Sequence, residues 1–141
     1  MALFRWNDSY AVYLPEIDAE HRSLFQIAAD LHKALLARGR PEKFRATLRN
    51  LLAHTEEHFQ HEERLMRAVN YPSFDWHKRQ HDTVRKNAKA LARRMMSGDT
   101  DAPMLLLEFL DGWIKDHIRL TDRMMSAYLR NQERTHTVRA S

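Results

Sequence analysis

The sequence predicts an all-α protein, an up-down-up-down antiparallel four-helix bundle with an extended N-terminal arm. Three observations carry that prediction. Only three glycines and four prolines punctuate the 141 residues. The intervals between them repeat apolar side chains at the 3.6-residue period, and none sustains the period-2 alternation of a strand. Intervals of roughly 20 to 28 residues with short connections are what such a bundle requires.

Residues 1–17 form the arm, with Phe4 and Trp6 as packing anchors. Asp18 caps a first helix that runs to about Arg38, where Gly39 and Pro41 mark a stop and a new start. The second helix runs from about Pro41 to Val69 and ends before "NYPS". Ser73 caps a third that reaches about Ser97. "GDTDAP" then supplies a helix-ending glycine, and a fourth helix runs from about Pro103 to Arg130. We read residues 1–130 as one domain and the polar 131–141, "NQERTHTVRAS", as a disordered tail.

Composition narrows the chemistry. The absence of cysteine excludes disulfides, thiolate metal sites, cysteine-ligated iron–sulfur clusters and a cysteine nucleophile. Nitrogen and oxygen donors remain, and nine histidines are many for this length. "MALFRWNDSYAVYL" lacks a basic segment followed by a continuous apolar one, and no run of apolar residues is long enough to span a bilayer, so a soluble, cytoplasmic protein is expected. The net charge of +4 arises in residues 76–97, which hold seven Lys or Arg against one Asp. That basic face of the third helix allows electrostatic docking as an accessory role, but no interleaved aromatics or recognised binding fold point to nucleic acid.

Sorting each helix at about 100° per residue separates its faces. On the second, Phe44, Leu48, Leu51, Thr55, Phe59, Met66 and Val69 share a stripe that also contains His58 and Glu62. His54 and His61 fall to the side, and Glu56, Glu57 and Glu63 point away. On the third helix His77 and His81 sit on the stripe of Val84, Ala88, Leu91 and Met95, with Lys78, Arg85, Lys86, Lys89 and Arg93 opposite. On the fourth, His117 is central to Leu106, Leu110, Trp113, Ile114, Met124 and Tyr128. His21 joins Ile17, Leu24, Phe25, Ala28, Leu31 and Leu35 on the first. Every helix thus turns a histidine inward, and an antiparallel path brings them to nearly one level, where they can converge on a metal. Asp122 is about 140° from His117 on an ideal helix. It joins only if the helix is locally widened, as by a π-bulge.

These residues carry a resemblance. His21, "HFQHE" 58–62, "HKRQH" 77–81 and "HIRLTD" 117–122, with Trp6, "IDAEH", "EERLM" and "YPSFDWH" around them, resemble the hemerythrin family, in particular its single-domain bacterial members. The resemblance covers about residues 3 to 130. It implies reversible dioxygen binding at a non-haem di-iron centre of two iron ions with a bridging oxo or hydroxo group, for oxygen storage, delivery or sensing, by a monomer. It implies that His77, His81 and His117 bind one iron, that His21 and His58 bind the other, and that Glu62 and Asp122 bridge them. Leu24, Phe59, Trp113, Ile114 and Ile118 match the family's dioxygen pocket, and none is an acid, base or nucleophile. No catalytic residue is therefore expected, and a carrier rather than an enzyme is implied. The alternative is a di-iron scavenger of peroxide or nitric oxide, or a supplier of iron for metal-centre repair. Glu20 stands where the family often has Gln. His32, ~16 Å along the axis from His21, is an ordinary bundle histidine. Other metal classes fit poorly. The E-x-x-H of ferritin-like proteins occurs only as Glu133 with His136, and "HEERL" lacks the second histidine of a zinc protease.

Overall fold

A computed structural model of the chain describes residues 3–37 and 41–140, with side chains to residue 134. After a short 3-10 turn at Asp8–Tyr10, helix α1 spans Pro15–Leu36, α2 Pro41–Ala68, α3 Phe74–Met96 and α4 Ala102–Asp116. A π-helical segment, His117–Asp122, then passes directly into α5, Arg123–Ala140. The fourth rod of the bundle is therefore α4, the π segment and α5 in one line. No strand occurs among the described residues. α1 packs on α2 and α4, and α3 packs on α2 and α4, so the four rods close a ring of alternating direction.

The helix limits follow from local chemistry. α1 begins at Pro15, whose fixed φ suits a first helical position. Asp18 is not its cap: it lies in the first turn, buried, and accepts from the amides of Val12 at 2.8 Å and Tyr13 at 3.1 Å. It ties the arm to α1 instead. α2 ends because Asn70 turns left-handed at φ 52° and the Tyr71 amide reaches back to the Met66 carbonyl at 3.0 Å. Ser73 precedes α3 but its hydroxyl makes no capping bond. Gly98, at φ 89°, ends α3 as expected. Arg38 and Gly39, the expected stop of the first helix, lie outside the described residues. α5 continues helically through residues 131–140, which polarity alone sets apart as a tail, because no glycine or proline interrupts it. No helix among the described residues is long and apolar enough to cross a membrane.

Two apolar clusters leave a layer between them. The larger gathers Ile17, Leu24, Phe25, Leu31, Leu51, Phe59, Leu106 and Leu107 with Phe4 and Val12 of the arm. The smaller holds Met66, Tyr71, Met125 and Leu129. Each fully buried side chain of this size contributes roughly 1.5–3 kcal/mol, which fixes the helices to either side of the inward-facing histidines. Phe4 and Trp6 do anchor the arm, packing on Phe25 with ring centroids 6.5 and 5.5 Å apart.

The π segment changes which residues face inward beyond it. Met124, expected in the core, is 46% exposed, while Met125 is fully buried. One extra residue in the widened turn rotates everything C-terminal to it by about one position, so a straight α-helical projection fails there.

Candidate metal centre

Seven polar side chains fill the layer: His21, His58, Glu62, His77, His81, His117 and Asp122 are all buried, Glu62 and Asp122 completely. α1 supplies His21, α2 supplies His58 and Glu62 one turn apart, and α3 supplies His77 and His81 one turn apart. The π segment carries His117 at its start and Asp122 at its end. In an α-helix Asp122 would point elsewhere, and the widened turn swings both side chains into the layer. Thr121, the residue an α-helix would place beneath His117, instead donates to Gln80 Oε1 at 2.7 Å.

Both carboxylates are divided between two sets of imidazoles. Glu62 Oε1 lies 3.0 Å from His81 Nε2 and 3.3 Å from His77 Nε2, and Asp122 Oδ1 lies 3.0 Å from His117 Nε2 and 3.1 Å from His77 Nε2. The other oxygens face the remaining pair: Glu62 Oε2 is 3.3 Å from His58 Nε2, and Asp122 Oδ2 is 3.0 Å from His21 Nε2. The donor atoms form two groups, Glu62, His77, His81, His117 and Asp122, and His21, His58, Glu62 and Asp122, each within 4.8 Å. The two groups share both carboxylates.

The opposite ring nitrogens show what this arrangement lacks. His58 Nδ1 is 2.6 Å from Glu20 Oε1, His81 Nδ1 is 2.8 Å from Glu63 Oε2, and His117 Nδ1 is 2.8 Å from Gln80 Oε1. These partners are acceptors, so each Nδ1 carries the proton and each neutral ring turns a lone pair inward, toward carboxylate oxygens that are also lone-pair donors. His21 Nε2, His81 Nε2, His117 Nε2, Glu62 Oε2 and both Asp122 oxygens make no hydrogen bond. Two buried carboxylates facing lone pairs are stable only around positive charge. The electrostatics agree: burial opposes ionisation of His58 and His77, yet Glu62, Asp122 and, for His58, Glu20 raise them to about 10 and about 9. Burial likewise opposes the charged forms of Glu62 and Asp122, and the histidines hold both well below their ordinary values. Protons there play a part that metal cations fill better. The residues fit a two-metal site.

Glu20, Glu63 and Gln80 orient the ligand rings from outside. Glu63, expected to point away, is buried and receives Arg85 Nη2 at 3.0 Å beside His81. Its partners on α3 place it in the α2–α3 seam rather than in solvent. Arg85, expected on the outer basic stripe, lies across the same seam and also pairs with Glu56 and Asp82. Glu20 accepts from His61 Nδ1 at 2.6 Å as well as from His58, so His61 adjoins the site through a carboxylate. His54 is exposed and His32 half-buried. A rule that each ligand histidine needs an acceptor for its other nitrogen signals such partners, but all three lie on a neighbouring helix, where spacing says nothing.

The rings are also stacked. Phe59 lies parallel to His81 at 4.0 Å and Trp113 to His117 at 4.3 Å. Beside the layer is a cavity of about 20 Å³ whose walls include Leu24, Phe59, Trp113, Ile114 and Ile118, the five expected pocket residues. His21 and His58 border it, whereas of His77, His81 and His117 only His117 does.

Known proteins resemble this chain in sequence and fold. Residues 13–129 match the family model of the hemerythrin HHE cation binding domain. A bacteriohemerythrin of Ralstonia nicotianae is 29% identical over 132 residues, covering 92% of this chain and 90% of its own. One of Clostridium acetobutylicum is 30% identical over 125 residues, covering 86% and 97%. The myohemerythrin of Theromyzon tessulatum is 24% identical over 84% of this chain and 88% of its own. A solved structure of a point mutant superposes with a TM-score of 0.80 at 25% identity, covering 92% of this chain and 98% of that one. With the family model spanning most of its length and the paired donor groups in its core, the chain belongs to the hemerythrin family.

Proposed function

We propose that the protein binds dioxygen reversibly at a non-haem di-iron centre held by His21, His58, Glu62, His77, His81, His117 and Asp122. The observation that carries this reading is the sharing of two fully buried carboxylates between a three-histidine and a two-histidine group. Two ferrous ions bound there would supply the reversible donation of one electron each to dioxygen, and imidazole and carboxylate donors suit iron in both oxidation states.

The chain's own residues divide the remaining work. Glu62 and Asp122 hold the two positions together and offset their charge in a dry core. Glu20, Glu63 and Gln80 keep the inward nitrogens unprotonated by accepting hydrogen bonds from the outward N–H groups of His58, His81 and His117. The two-histidine side has one protein donor fewer, and it is the side that opens on the cavity. That cavity has room for about one water-sized molecule. Its walls beyond the donor residues carry no carboxyl, imidazole, amine or thiol, and the Thr55 hydroxyl is committed to the Leu51 carbonyl at 2.8 Å. A site without a free proton donor suits binding and release better than reduction of a bound ligand. This disfavours the scavenging alternative and favours a carrier. Iron analysis is the first test: protein expressed with iron should carry two irons per chain, and a zinc-only or metal-free product would overturn the reading.

A further inference from the structure

The wall of the cavity is not made by helices alone. Of the residues that line it, Phe4 is the one that comes from outside the bundle, and its side chain is only 4% exposed. Phe4 also has a left-handed backbone, φ 59°, which a bulky side chain rarely adopts. Something must hold it there. Its amide donates to Asp111 Oδ1 at 2.9 Å, and the other oxygen of that buried carboxylate receives Lys115 Nζ at 2.9 Å. Further along the arm, Arg123 Nη2 donates to the Ser9 carbonyl at 2.7 Å and Arg119 lies over the Tyr10 ring.

We propose that Phe4 is the size-limiting wall of the ligand cavity, turned inward by the bond from its amide to Asp111, so that the arm sets how large a ligand the cavity admits. The inference rests on the dioxygen reading for the identity of the ligand, but not for the geometry. The other lining residues lie on the helices or the π segment of the bundle itself, so changing them alters the packing that closes it. Phe4 packs into the larger apolar cluster and against the Phe25 ring, but it belongs to no helix and its backbone is held there by one amide–carboxylate bond, so its ring can be removed while the ring of helices stays closed. With the ring in place the space is about 20 Å³, enough for a diatomic molecule and little more.

Xenon tests this, because it occupies apolar cavities on the order of 150 Å³ and makes no use of iron. Full-length protein as purified, with iron measured in the same sample, is titrated with xenon and followed by its NMR shift, together with F4A, F4L and D111A. The native protein should show no saturable xenon site. F4A should gain one, F4L a weaker one, and D111A should lose hydrogen-exchange protection at the Phe4 amide. If F4A does not fold by circular dichroism, F4L carries the xenon test and D111A the exchange test. A native protein that already takes xenon saturably, or folded variants that match it, would overturn the proposal. An iron-free sample would instead count against the di-iron reading and leave the xenon result standing.

Discussion

Replacing Glu63 with alanine isolates a residue that never touches the inward face of the site. Its Oε2 accepts from His81 Nδ1 at 2.8 Å and from Arg85 Nη2 at 3.0 Å, and His81 is fully buried. The substitution leaves a buried N–H without an acceptor, which costs about 1–3 kcal/mol. Arg85 retains Glu56 and Asp82, so its half-exposed pairing adds little. The same N–H aims His81 Nε2 at Glu62 Oε1, 3.0 Å away. Loss of such an orienting partner lowers metal affinity about 10–100-fold, equivalent to about 1.4–2.7 kcal/mol. Glu63→Gln keeps an acceptor oxygen and should restore most of that affinity. The assay is iron release to a chelator, paired with urea unfolding of the same samples. Glu57→Ala, an exposed neighbour, is the control. If Glu63→Ala releases iron no faster than Glu57→Ala, the argument for ring orientation by Glu63 is wrong.

Other outcomes follow from the same geometry. His77→Ala removes a nitrogen that faces both carboxylates, and iron should fall to about one per chain or less. His54→Ala and His61→Ala should keep both irons by metal analysis, and loss of the centre in His61→Ala would refute its placement outside the ligand set. Metal-free protein should show stability that falls on both sides of mildly acidic pH in chemical unfolding. His58 and His77 are raised to about 10 and about 9, so their contribution is complete below about 6.5 and is lost as pH rises through those values. Glu62 and Asp122 are lowered, so theirs is present above about 4.5 and is lost on acidification. Iron loading should abolish the alkaline loss, because bound metal requires the neutral imidazoles.

Much of this site was legible in the sequence because burial makes charge conspicuous. His58 and Glu62 stand out on an apolar stripe, and His77 and His81 repeat the pattern one helix later. Asp122 was not legible from angles, since its inward direction depends on a π turn that no local spacing announces. The family resemblance supplied it. The same turn exchanged Met124 for Met125 in the core. Glu63 and Gln80 do not show as ring partners in the sequence, and Glu20 shows only through the family resemblance, for another reason: each serves a histidine on a neighbouring helix, and a helical projection sees one helix at a time. The sequence marks Phe4 as an anchor, yet its place on the cavity wall depends on where the arm crosses the bundle.

Stopped-flow mixing of the reduced, iron-loaded protein with dioxygen tests the central claim most directly. Reversible binding predicts a stable oxygenated spectrum that bleaches under argon and returns on re-exposure over repeated cycles. Rapid oxidation that argon does not reverse would contradict it.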